Sequence, residues 1–343
     1  MIFFPTISRR FTRLPPVRRV LSTAVITHSS FIKHRCGNST HPESPERIQT
    51  LQTKLPVLFE EEINTGKLRW FDSDEHAPKA TAKELVEAGH TKTYVEETLK
   101  VCQTALEKRR SIQLDGDTAV NQHTLEAALR AAGAAKTAVD LVLNDSNEIN
   151  HTFCLVRPPG HHAEKSRSMG FCLFGNVAMA VNRAKKQLKK IVVFDFDVHH
   201  GNGTQNLLWE DINTLFISTH QSPLYPGTGL SSEKGSSGSN VLNLPLPPNT
   251  SSDLYMDLIE SVVVPTIKEW KPELIIFSAG FDAHQNDPLA QMNLTHNDYY
   301  NVTKQILDTM ENGRSISVLE GGYDLAALCD STESMLRALL DSK

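Results

Sequence analysis

The sequence predicts an α/β fold, one domain in which a mainly parallel sheet is covered by helices on both faces. Three observations carry this. Apolar, β-branched runs alternate with longer helix-like segments, the pattern left by crossover connections. The chain has 343 residues and is 39% hydrophobic, enough for one large core. The unusual polar residues gather just after the strand-like runs, at the edge where open α/β sheets place their sites.

In chain order, the first strand is 23–27, followed by helices over 45–59, 94–107 and 124–143. A strand at 152–156 precedes a helix over 176–188, and the run 191–196 (Ile-Val-Val-Phe-Asp-Phe) is the next strand. Strand 214–218 follows, then the Ser/Gly-rich stretch 229–240, which reads as a surface loop. Helix 253–268, strand 274–278, helix 297–312, strand 315–319 and a closing helix over 325–340 complete the series. No internal repeat and no further linker divides it.

Composition excludes several classes. Net charge is −5, which gives no electrostatic footprint for nucleic acid. No run approaches the ~18 apolar residues of a membrane span. The five cysteines, Cys36, Cys102, Cys154, Cys172 and Cys329, form no CxxC pair, so neither a Cys-rich zinc site nor a disulfide framework is indicated. The first 42 residues hold no Asp or Glu but carry Arg9, Arg10, Arg13, Arg18, Arg19, Lys33 and Arg35. Residues 1–21 therefore read as a mitochondrial presequence cleaved after Leu21, with 22–343 as the catalytic domain and the matrix as its compartment. A basic tail is the plain alternative, with a cytoplasmic or nuclear location.

Five polar loops follow strand-like runs: Arg157-Pro158-Pro159-Gly160-His161-His162, the cluster from Asp195 to His200, Ser218-Thr219-His220, Ala279-Gly280-Phe281-Asp282 and Glu320-Gly321-Gly322-Tyr323. On an extended strand, Asp195, Asp197 and His199 share one side, with Phe194, Phe196 and Val198 on the other. Asp197 and His199 supply two metal ligands, and Asp282 is the best-placed third. Three protein ligands leave a position open for chemistry, as a catalytic zinc needs. Asp195 falls behind the ligands, where carboxylates orient imidazoles. His161 and His162 divide into base and acid if Asp195 holds one and Asn202 the other. Tyr323 supplies a phenol for an oxyanion. Together these groups describe metal-assisted hydrolysis of an amide.

The motifs resemble the zinc-dependent histone deacetylase family, in the class II and bacterial branch that includes acetylpolyamine amidohydrolases. The matching pieces are His41-Pro42-Glu43-Ser44-Pro45-Glu46-Arg47, residues 157–162, Gly170-Phe171-Cys172, 195–203, Pro226-Gly227-Thr228-Gly229, 280–289 and 319–323. They run in family order through nearly all of 24–340. The resemblance implies the three-layer α/β/α sandwich of the arginase/deacetylase fold. It implies zinc on Asp197, His199 and Asp282, His161 and His162 as the catalytic pair, and Tyr323 as oxyanion donor. Gly170 and Phe171 would line an acyl-lysine tunnel, with Tyr225 opposite and Leu289 at the rim. Arg47 would lie below the pocket near an acetate exit, and Asp117 would grip the substrate backbone. Potassium would sit at Asp195, Ser218 and Thr219, and a second ion near Leu208, Asp211 and Thr214. Asn202 stands where class I members carry Asp. Gly175 stands where many relatives have Asn, which predicts a local packing difference.

The expected activity is deacylation of N-acyl-lysine in proteins. A small-molecule amidohydrolase acting on acetylpolyamines is the alternative, and a non-catalytic acyl-lysine binding module a third. A two-manganese arginase array would need more Asp ligands than the chain shows.

Overall fold

The structure, a computed structural model, describes residues 22–342 apart from 145, 147, 311 and 312. The expected presequence, 1–21, lies outside the described residues.

The chain opens with β1 (Ser22–Ile26), a 3-10 turn (Ser29–Lys33), α1 (Pro45–Leu58), α2 (Glu60–Asn64) and β2 (Leu68–Phe71). Then come α3 (Ala82–Glu87), α4 (Lys92–Lys108), the hairpin strands β3 (Ile112–Gln113) and β4 (Ala119–Val120), α5 (Thr124–Leu143) and β5 (Ile149–Cys154). Next are α6 (Asn176–Ala184), β6 (Ile191–Asp195), α7 (Asn202–Leu208), β7 (Thr214–Gln221) and β8 (Val241–Leu246). The chain ends with α8 (Ser252–Leu258), α9 (Val264–Trp270), β9 (Leu274–Ala279), α10 (His296–Leu307), β10 (Ser315–Leu319) and α11 (Leu325–Leu340).

Eight strands form one sheet in the order β2-β1-β5-β10-β9-β6-β7-β8, with every pairing parallel. Its central strands are buried from end to end, so they read as unbroken apolar runs rather than alternating ones. Helix α11 packs against both α1 and α10, α5 packs on α6, and the sheet lies between helical layers. Phe194, Phe196, Phe277, Phe281 and Tyr299 form a contiguous aromatic cluster, with Phe281 and Tyr299 edge to face at 5.0 Å. Each such side chain contributes about 1.5–3 kcal/mol of burial. The cluster braces the back of the loops that follow β6 and β9.

The structure departs from the sequence reading in several places. Strand β7 continues to Gln221, so Ser218, Thr219 and His220 lie within it, held by β8 from Ser218↔Asn243 to Gln221↔Leu246. Strand β5 spans Ile149–Cys154 rather than 152–156. The helix expected over 253–268 is α8 and α9 joined by a π turn, Ile259–Val263; Pro265 lacks the N–H an unbroken helix requires. Helix α6 stops at Ala184 and α10 at Leu307, and residue 312 lies outside the described residues. Gly175, at the entry to α6, has the Leu207 side chain 2.5 Å from where a Cβ would stand. A larger residue there would push α7 away.

Candidate active site

The loops after β5, β10, β9 and β6 meet because these strands are consecutive neighbours in the sheet. Strand β6 ends at Asp195 and the chain turns on its own carboxylates. Asp195 Oδ1 accepts the Asp197 N–H at 3.1 Å, and Asp197 Oδ1 accepts the His199 N–H at 2.9 Å. The loop after β9 brings in Asp282, whose Oδ1 accepts the Val198 N–H at 2.8 Å. The side-chain alternation thus survives past the strand: Phe194, Phe196 and Val198 enter the core while Asp195, Asp197 and His199 enter the site.

Asp197, His199 and Asp282 are buried, and their ligand atoms all lie within 4.8 Å of one another. His199 Nδ1 is 3.1 Å from Asp197 Oδ1 and 3.0 Å from Asp282 Oδ2. Burial and then the Asp197 charge push Asp282 up to about 7. Burial resists a charge on His199, yet Asp282 and Asp197 push the ring up to about 10. The group therefore asks for positive charge. It also has a made-to-measure cradle. A Cβ on Gly280 would stand 2.0 Å from Asp197 Oδ2, and one on Gly321 would stand 2.2 Å from Asp282 Oδ2. Mixed oxygen and nitrogen donors suit a divalent cation of zinc type. His200 is turned elsewhere, to Thr228 Oγ1 at 2.7 Å and Gln205 Oε1 at 3.0 Å.

A second group of possible ligands, His34, Cys36 and Glu43, reads differently. Arg157 grips the Glu43 carboxylate with Nε and, at 2.7 Å, with Nη2, while Arg47 Nη1 lies 3.4 Å away. Burial pushes the Cys36 thiol well up. Neither Glu43 nor Cys36 is free in ligand form, so this is a buried ion cluster beneath the site.

The histidine pair sits on the turn after β5. His161 Nδ1 faces Asp195 Oδ2 at 3.2 Å, and its Nε2 lies 3.7 Å from Asp197 Oδ2. Burial opposes a charge on His161, but Asp197 and Asp195 push it up to about 10. His162 Nδ1 is 2.7 Å from Asn202 Oδ1, and Asn202 Nδ2 donates to Glu164 Oε1 at 2.7 Å. Glu164 thus fixes which end of the Asn202 amide faces His162. The Nδ1 position must carry the proton, leaving a lone pair on Nε2. Burial, with His161 and His199 beside it, holds His162 well below the usual imidazole range. The two rings are 4.0 Å apart and are driven in opposite directions.

A cavity of about 220 Å³ opens onto these groups, lined by Asp117, His162, Gly170, Phe171 and His199 on one part and by Leu224, Tyr225, Leu289 and Tyr323 on the rest. Gly170 has positive φ, and a Cβ there would strike His162 at 2.3 Å. Tyr225 is 40% exposed at the mouth, its ring 5.2 Å from that of His162. Phe171 meets Tyr323 edge to face at 6.0 Å. Arg47 is fully buried and does not line the cavity. Its Nε donates to the Gly322 carbonyl at 2.6 Å and its Nη2 to the Glu320 carbonyl at 2.5 Å, behind the Tyr323 ring.

Of the residues expected near potassium, Asp195 and Ser218 are register partners across β6 and β7. The Ser218 hydroxyl meets His220 Nδ1 at 2.9 Å and the Thr219 hydroxyl meets Tyr255 at 2.8 Å. Near the second expected ion, Thr214 Oγ1 donates to Asp211 Oδ2 at 2.9 Å, and Leu208 accepts the Asp211 N–H through its carbonyl.

Three acids escaped the sequence reading. Glu320 is buried, and its Oε2 accepts the N–H groups of Gly160 at 2.6 Å and His161 at 3.0 Å. Asp287 Oδ2 accepts the Tyr323 N–H at 2.7 Å. Glu164 holds Asn202. Glu320 and Asp287 lie inside quoted motifs and Glu164 just past one, but nothing local assigns their partners, since the contacts join distant segments.

A family profile described as "Histone deacetylase domain" matches residues 41–339. The chain is 38% identical to "Histone deacetylase 14, chloroplastic" of Arabidopsis thaliana, over 95% of this chain and 79% of that protein. It is 36% identical to "Probable deacetylase" of Archaeoglobus fulgidus, over 88% of this chain and 82% of the relative. A solved structure described as "Crystal Structure of HDA15 HD domain" superposes with a TM-score of 0.84 at 31% identity, covering 94% of this chain and 89% of that one.

Proposed function

Because the chain belongs to the histone deacetylase family, we propose that it hydrolyses the amide of N-acyl-lysine side chains in proteins, releasing a carboxylate and free lysine. Asp197, His199 and Asp282 would hold zinc in this reading. The observation that carries it is the cavity of about 220 Å³, narrow and walled by Phe171 and Tyr225, ending on His162, His199 and Tyr323. An aliphatic lysine stem fits such walls, and its acyl amide would meet the polar end.

Zinc there would supply Lewis acidity toward an amide carbonyl and a nearby water. His162 accepts the water's proton at Nε2, because Asn202 keeps Nδ1 protonated. The same ring returns that proton to the departing lysine nitrogen. His161, whose Nδ1 is held by Asp195 at 3.2 Å, stands beside the developing negative charge. Tyr323 donates its O–H to the oxyanion, and Arg47 and Asp287 fix that residue from below and behind. Asp117 holds the substrate backbone at the mouth. Potassium at Asp195, Ser218 and Thr219 would brace the β6 turn. Residues 1–21 direct import into an organelle.

An activity panel on the purified chain tests the substrate class. Acetyl-, trifluoroacetyl- and longer-acyl-lysine peptides are compared with N-acetylputrescine. The reading expects higher kcat/KM on a peptide; preference for N-acetylputrescine would replace it with small-molecule amide hydrolysis.

A further inference from the structure

A second pocket, of about 370 Å³, lies at the base of the β3–β4 hairpin. Its lining includes Lys33, Arg35, Arg109 and Arg110, all exposed, and no acidic residue. Among the described residues none of these four cations forms an ion pair; Arg35 feels Glu46 through space without touching it. Several cations elsewhere on the surface are paired, among them Lys79 with Glu126, Lys83 with Glu87, Lys92 with Glu96 and Arg337 with Glu333. The C-terminal dipole of α4 favours Arg109 and Arg110. It does not account for Lys33 and Arg35, which arrive from a segment over seventy residues earlier in a chain of net charge −5.

The pocket lies near the substrate cavity, and the two share no lining residue. Asn121, in its lining, is four residues from Asp117, which caps the separation at about 14 Å. Arg35 precedes Cys36, whose Sγ lies 3.6 Å from the Asp117 carbonyl. Asp117 itself lines the cavity. An extended peptide therefore spans from the cavity mouth to the pocket in roughly four to six residues.

We propose that this pocket is an exosite for acidic stretches of the protein substrate, a carboxylate-rich segment four to six residues from the acyl-lysine. The inference rests on the protein-deacylation reading above. Four exposed cations on separate segments suit several carboxylates in turn rather than one phosphate, which favours a buried, converging site. Each exposed pair is weak and salt-sensitive, so the effect falls on capture and not on chemistry.

The test uses the full chain and paired acyl-lysine peptides, with Asp and Glu or with Asn and Gln four to six positions from the lysine on either side. In the wild type, one acidic peptide is expected to show a KM roughly tenfold below its neutral twin, with equal kcat. The advantage should vanish in Arg109→Glu/Arg110→Glu and in Lys33→Glu/Arg35→Glu, and shrink with added salt. Turnover of free N-acetyl-lysine should be the same in all three proteins. Equal KM for acidic and neutral peptides in the wild type, or an advantage that survives both double variants, overturns the exosite and leaves protein deacylation standing. Peptides not turned over at all, beside active cleavage of N-acetylputrescine, would overturn both.

Discussion

His161 and His162 are adjacent in sequence yet are driven in opposite directions. Asp197 and Asp195 raise the first ring against its burial, while burial and the neighbouring His161 and His199 hold the second low. Replacing Asn202 with Asp puts an anion beside His162 and raises its pKa. The base works only when neutral, so the acid limb of the kcat/KM profile should move to higher pH. An unmoved limb would show that His162 is not the base. Tyr323→Phe keeps the ring over Arg47 but removes the O–H. It should lower kcat about 10²–10³-fold while bound zinc, read by elemental analysis, stays stoichiometric. That Asp197, His199, Asp282, the histidine pair and Tyr323 gather in one place was legible, because each stands in a short motif of unusual composition. Glu320, Asp287 and Glu164 were not, because the backbone and side-chain groups they hold lie 36 to 160 residues away.

At the scale of elements, the buried central strands were readable and the edges were not. Strands β6, β9 and β10 are continuous apolar runs. Edge strand β2 is short and half exposed, and β8 carries Pro245, which an edge strand tolerates but which weakens its sequence signal. Helix α5 matches its expected bounds, and its interior Gly133 is explained only by packing. On propensity, Gly133→Ala should gain about 1 kcal/mol. A Cβ there would sit 1.7 Å from the Pro78 carbonyl oxygen, and such overpacking costs roughly 1–3 kcal/mol or more. The variant should therefore be less stable in urea unfolding; a gain would mean that the segment around Pro78 yields freely. Gly321→Ala pushes on both Asp197 and Asp282. Its zinc affinity, by calorimetric titration, should fall at least about tenfold with the fold intact by circular dichroism.

Across the whole molecule, the parallel sheet is the device that turns distant motifs into one site. Neighbouring strands β5, β10, β9 and β6 deliver the histidine pair, Tyr323, Asp282 and the Asp197–His199 turn to one edge. Two buried carboxylates there repel each other until a cation is bound, which couples metal to stability. Chelation should lower Tm by several degrees, reversed by zinc. Residues 1–30 fused to a fluorescent reporter should mark an organelle; a diffuse signal would remove the import reading. The most direct test of the central claim is acetate release from an acetyl-lysine peptide by the purified chain before and after chelation. The account predicts turnover that disappears in the metal-free protein and returns with one equivalent of zinc. Undiminished turnover without metal would contradict it.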